Sequence, residues 1–251
     1  MRKISIAISL LFAASLHAAG GAKLRFDHLW IMVSPGAPER AALEKAGFRI
    51  APELNRHDGQ GTASVTTEFL NGYIELMWVE PTVPVVPELS RAVEKFRNRA
   101  AWRTSGWSPF GINLVRTTAA DPVYPPTTWS VTAPWMEPGT SMLILTARDD
   151  TKSPAISVHA IPTDEAANTV QAAREGESSM FHHPIGVKRI TAVRLIAPRD
   201  YTPAPAINYV KDAGIITLGK GGQWLIEMTF DGGAKKKSKD LRPDLPLIIR
   251  Y

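Results

Sequence analysis

The 251-residue sequence has no cysteine. That single absence removes disulfides, thiolate metal sites, iron–sulfur clusters and cysteine nucleophiles. The sequence also lacks a Gly-x-Ser-x-Gly elbow and a His-Glu-x-x-His pair, which excludes the α/β-hydrolase and zincin patterns. Phosphate-loop and dinucleotide fingerprints are missing too, and Gly219-Lys220-Gly221-Gly222 reads as a turn between strands. Aromatic residues do not interleave with the lysine cluster Lys235, Lys236, Lys237 and Lys239, so that cluster reads as a solvated loop and no nucleic-acid partner is expected. The longest apolar run, Ile4 to Ala14, is too short to span a bilayer.

What is present describes a folded, loop-rich chain. Hydrophobic residues make up 44% and charged residues 21%, with 20 prolines and 18 glycines. Those breakers argue against a helical bundle and for strands mixed with short helices. Arg2-Lys3, the apolar run, and the small-residue end Ser15-Leu16-His17-Ala18-Ala19 have the layout of a secretory signal. Cleavage is expected after Ala18 or Ala19, which makes 1–18 a signal peptide and the mature protein periplasmic or secreted. No membrane association is expected after cleavage. The formal charge then falls from +5 to +3, too little to imply an anionic partner.

The mature chain repeats a pattern. Leu24 to Pro35 reads as a strand, Ala37 to Ala46 as a helix with Gly47 as its stop, and Phe48-Arg49-Ile50 as a second strand. Val187 to Pro198, Pro205 to Ala213, Gly214 and Ile215 to Leu218 follow the same order. Each copy leads to an apolar strand holding one glutamate, Glu75 in GYIELMWV and Glu227 in QWLIEMTF. The repeat predicts modules that share one curved sheet. Between the copies, Val86 to Ala101 reads as a helix, and Phe110 to Thr117, Ser141 to Arg148 and Ala155 to Ile161 read as strands. Thr163 to Glu175 reads as a short polar helix.

On a strand, alternate residues share a face. Phe26, His28, Trp30 and Met32 therefore line one side of the first strand, and Tyr73, Glu75, Met77 and Val79 one side of the later one. A buried glutamate needs a partner. His28 can supply a plain hydrogen bond, or His28 and Glu75 can together hold a divalent metal of unspecified identity. His57 stands in the loop Arg56-His57-Asp58-Gly59-Gln60-Gly61-Thr62, where glycines let the backbone approach a ligand and Gln60 and Thr62 offer hydrogen-bonding groups. His159 reads as a core or edge residue, and His182-His183 as linker residues.

The stretches FDHLWIMV, NRHDGQGTAS and NGYIELMWV, with the helix ending in AGF between the first two, resemble the glyoxalase-like branch of the vicinal oxygen chelate superfamily. The resemblance covers residues 24 to 80. It implies an α+β fold of paired βαβββ modules forming a curved, mostly antiparallel sheet around a pocket. The domain would span 24–251, with a first module at 24–80, a second half-module at 106–161 and a third, shortened unit at 187–230. It also implies metal ligands drawn from more than one module. His28 and Glu75 match the first, Glu227 matches Glu75 in the third, and the second offers Asn113 where a histidine would stand. Glu227 reads equally as a core residue paired with Arg194 or Lys188.

The function expected is an exported glyoxalase-like protein that binds a small organic molecule, with metal-assisted lyase, isomerase or oxygenase chemistry. His57 and Glu75 are the expected catalytic groups. Phe26, Trp30, Gln60, Thr62, Tyr73 and Met77 are the expected substrate contacts. The alternatives are a non-catalytic periplasmic binding or sequestering protein, and a structural half-barrel that pairs with itself as a homodimer.

Overall fold

The structure is a computed structural model that describes residues 24–117, 122–136, 138–150, 152–159 and 180–251. The expected signal segment and the helix expected over 163–175 lie outside the described residues. The chain is α+β, with a strongly curled eight-stranded sheet and a second sheet of five strands.

The first sheet is built from β1 (Leu24–Met32), β2 (Asn55–His57), β3 (Thr62–Phe69), β4 (Gly72–Val79), β5 (Phe110–Arg116), β6 (Trp129–Val131), β7 (Met142–Ile144) and β8 (Ala155–His159). Their order is β2-β3-β4-β1-β5-β8-β7-β6, which reads as two equivalent halves. In each half a parallel pair, β1 with β4 or β5 with β8, continues into an antiparallel run. The halves join through the antiparallel β1–β5 pair. This is the paired-module, mostly antiparallel curved sheet.

Helix α1 (Arg40–Ala46) crosses from β1 toward β2. Its stop is local: Gly47 takes φ 98°, and the N–H groups of Gly47 and Phe48 return to the carbonyls of Glu44 and Leu43. That conformation is cheap only for glycine. Helix α2 (Ser90–Ala100), entered through a 3-10 turn at Pro87–Leu89, packs on the inner side of the curl. Phe96 and Ala100 pack there against Trp30, Met32 and Met77. The short α3 (Trp102–Ser105) follows.

The second sheet holds β9 (Ile190–Pro198), β10 (Thr217–Gly221), β11 (Leu225–Phe230), β12 (Ser238–Asp240) and β13 (Leu247–Arg250), with α4 (Pro205–Asp212) between β9 and β10. The unit at 187–230 therefore lies in a separate sheet and does not join the first. The outer face of the curled sheet (Leu29, Ile31, Ile74, Leu76, Ile112, Leu114) and the inner residues of this second sheet form one continuous apolar cluster. Phe69 of β3 and Phe230 of β11 meet there, fully buried, with ring centroids 4.6 Å apart. Each such ring contributes roughly 1.5–3 kcal/mol by burial, and together they hold the two sheets face to face.

Several expected elements differ. Phe48-Arg49-Ile50 forms no strand: the Arg49 N–H donates to the His183 ring and its carbonyl accepts from the Thr67 hydroxyl. The strand expected over Ser141 to Arg148 shrinks to Met142–Ile144, since the N–H of Ile156 turns to the Thr146 hydroxyl. Gly219 to Gly221 belongs to β10, which starts two residues later than expected and ends three later; of the four only Gly222 lies in a bend.

Candidate functional site

The inner face of the curl is a cavity of about 320 Å³, within the range of small-molecule sites. The parallel register of β1 and β4 aligns His28 with Tyr73, Trp30 with Glu75 and Met32 with Met77. Residues aligned this way share a face, so His28, Trp30, Tyr73, Glu75 and Met77 all line the cavity. His57, at the end of β2, and Gln60, in the turn before β3, reach in.

The alternation fails at one place. Phe26 pairs with Leu114, and His28 pairs with Asn113, leaving Asp27 as the extra residue of a β-bulge. Phe26 therefore shares the core face with Leu114 and packs against the apolar cluster, away from the cavity. Asp27 instead comes round to His28, its Oδ2 2.8 Å from Nδ1.

His28 is thus held between two carboxylates. Its Nδ1–H is directed to Asp27, which leaves Nε2 facing Glu75 Oε2 at 3.7 Å. Tyr73 stacks on the ring at 4.1 Å and 16°. On the other side of Glu75, Oε1 lies 3.5 Å from His57 Nε2. Thr62 Oγ1 meets His57 Nδ1 at 2.8 Å and accepts from Gln60 Nε2 at 2.9 Å. Thr62 is fully buried, so it supports His57 from behind and does not line the cavity. Burial holds His57 below the ordinary imidazole range, with His28 adding to that effect and Glu75 opposing it.

The two-fold arrangement of the sheet identifies what the opposite half contributes. The β5–β8 register sets Asn113 beside Ser157 as the β1–β4 register sets His28 beside Tyr73. Asn113 is therefore the counterpart of His28, and His159, two residues past Ser157, the counterpart of Glu75. His159 lines the cavity, its ring centroid 6.0 Å from that of His28. Asn113 donates to its Nε2 at 3.3 Å while accepting from the Ser157 hydroxyl. Burial keeps His159 below the usual range too, with His28 reinforcing the shift. Ligand atoms of Asp27, His28 and His159 all lie within 4.8 Å of one another. Imidazoles beside carboxylates are a donor set that Zn, Mn or Fe accepts.

Glu227 is elsewhere. It sits on β11 in the second sheet, bonded to Arg250 at 2.7 Å and Arg194 at 3.3 Å. It does not line the cavity, and the arginine pairing expected as its other reading is the one found. His183 is more than a linker residue: it is buried, accepts from the Arg49 N–H at 3.0 Å and meets the Glu68 carbonyl at 2.8 Å. Asp27, Asn113 and His159 were not singled out as site residues by alternation and motif. The signal for Asp27 was its place beside His28, and for His159 a polar residue in an apolar strand.

No family model and no curated protein matches the chain. A solved structure of a hypothetical protein from Staphylococcus aureus is similar to it over 91% of this chain and 98% of that one, at 12% identity and a TM-score of 0.49. At that distance the likeness bears on neither function nor substrate.

Proposed function

We propose that this chain is an exported, glyoxalase-like protein that binds a small organic molecule beside a divalent metal and moves a proton on it, as a lyase or isomerase does. One observation carries the reading. Glu75 stands between two imidazoles, one carboxylate oxygen toward each, and each ring is held from its far nitrogen, by Asp27 behind His28 and Thr62 behind His57. Such support fixes ring tautomer and direction, as it does around metal ligands and general bases.

His28 and Glu75 would hold the ion; Asp27 would orient His28, and His159 stands beside Asp27 and His28, its ligand atom within 4.8 Å of theirs. Bound there, a divalent ion supplies Lewis-acid polarisation of a carbonyl oxygen. His57, kept neutral by burial, takes the proton from the adjacent carbon at Nε2 and returns it. Trp30, Tyr73 and Met77 wall the guest and exclude water. Export rests on Arg2-Lys3 and the apolar run that follows.

The test is proton exchange. Metal-loaded mature protein is incubated in heavy water with a panel of small 2-oxo and 2-hydroxy carbonyl compounds and followed by NMR. Deuterium is expected at the carbon next to the carbonyl, and His57→Gln should slow its entry about 10²–10⁴-fold. Ligand binding without exchange across the panel would overturn catalysis and leave a binding or sequestering protein.

A further inference from the structure

Helix α2 brings a cation into the cavity that the histidines line. Arg99 is only 3% exposed and lines the cavity wall. Its Nη1 donates to the Ser108 carbonyl at 2.6 Å and its Nη2 to the Ser153 carbonyl at 2.8 Å. Both partners are neutral, and a guanidinium has five N–H donors in all. Among the described residues Arg99 forms no ion pair with a carboxylate. Trp30 and Trp107 flank it, each ring centroid 5.9 Å from the guanidinium carbon. Burial draws its pKa down to about 10, with Asp150 and Tyr201 opposing.

The surroundings add to the positive field. Lys95, one turn earlier, and Arg148, stacked 4.1 Å over Trp129, also line the cavity. Glu88 and Asp150 are the carboxylates at this end, and Asp150 Oδ1 is taken by the N–H groups of Lys152 and Ser153. A buried cation supported only by carbonyls and ring faces favours an anion that can accept its free donors. Trp30 joins the two ends. It is the register partner of Glu75, and Arg99 lies over its ring. A guest reaching both ends lies along the indole.

We infer that Arg99 is a carboxylate-binding subsite, so that the cavity takes an organic anion: a flat apolar body against Trp30, its carboxylate on Arg99, its other oxygen function toward His28 and Glu75. The inference rests on reading the cavity as a small-molecule site, and it does not require the metal.

Benzoate and benzamide test it, since they share a shape and differ in charge at neutral pH. Each is titrated into mature protein and followed by tryptophan fluorescence. Benzoate should bind at least about ten-fold more tightly, the scale of one charge-assisted hydrogen-bonded contact. Arg99→Met should erase that preference while zinc uptake stays as in the wild type. If Arg99→Met does not fold, Arg99→Gln, which keeps an N–H donor without the charge, should erase it in the same way. Equal affinity in the wild type, no saturable benzoate signal up to about 10 mM, or a preference that survives in a folded Arg99 variant would each overturn the inference. Zinc uptake without benzoate preference sinks the subsite and spares the metal reading; benzoate preference without zinc uptake does the reverse.

Discussion

Asp27 Oδ2 lies 2.8 Å from Nδ1 of His28, its own chain neighbour. Adjacent residues on a regular strand point to opposite faces, so the contact exists only because β1 bulges at Asp27 against β5. The bulge fixes which nitrogen of His28 faces Glu75. Asp27→Ala should therefore weaken metal binding about 10–100-fold, as loss of a hydrogen bond behind a ligating histidine does elsewhere. Competition titration with a chromogenic chelator measures it, and Asp27→Asn, which can still accept from Nδ1–H, should recover part of the loss.

Gly111 is the floor under Trp30. A Cβ at this position would overlap the indole, which lies against the bare backbone of β5. Gly111→Ala should push Trp30 out of place at a cost of about 1–3 kcal/mol. Urea denaturation would show the loss, and the tryptophan emission of the native state should shift with it. A variant with unchanged stability would mean that Trp30 rests elsewhere.

The pH dependence of stability should carry a signature of His183. The Arg49 N–H donates to Nδ1, so the ring proton sits on Nε2 and is directed to the Glu68 carbonyl. A second proton would point Nδ1–H at another donor. Burial, the larger effect, also lowers the folded-state pKa beneath the ordinary value. The unfolded chain thus binds the proton first, and stability falls as pH drops below about 6.5 toward the folded-state value. Above that window there is no contribution. His57 and His159 shift the same way and add to the slope. Urea midpoints between about pH 7.5 and 5.5 should fall in the wild type and fall less in His183→Gln. Equal slopes would remove His183 from the account.

Glu227→Gln should do little. Its partners Arg194 and Arg250 have side chains 51% and 50% exposed, and such pairs contribute about 1 kcal/mol or less. Metal uptake should match the wild type. A loss of metal in this variant would place Glu227 in a site from which the second sheet separates it.

The parts of this fold that were legible in the sequence are those set by near neighbours. Helix α1 and its Gly47 stop follow from residues within one turn, and the period of two from His28 to Met32 and from Tyr73 to Val79 separates the cavity face from the core face. What was not legible depends on pairing across the chain. The bulge at Asp27 belongs to the β1–β5 register, and it moved Phe26 out of the expected site and Asp27 into it. His159 becomes the counterpart of Glu75 only through the β5–β8 register. Glu227 has the local surroundings of Glu75, an apolar strand, yet lies in a different sheet. Arg99 looks like any charge on an amphipathic helix until Ser108 and Ser153 close over it.

The central claim, that His28 and Glu75 share a divalent metal, is tested most directly by elemental analysis of purified mature protein and His28→Ala after equilibration with a mixture of Mn, Fe, Co, Ni and Zn salts and gel filtration. About one ion per chain should stay with the wild type and none with the variant, which should keep its fold. A wild type that retains no metal, with His28→Ala only destabilised by about 1–3 kcal/mol through loss of its buried contacts to Asp27 and Glu75, would contradict the account and leave His28 a structural histidine.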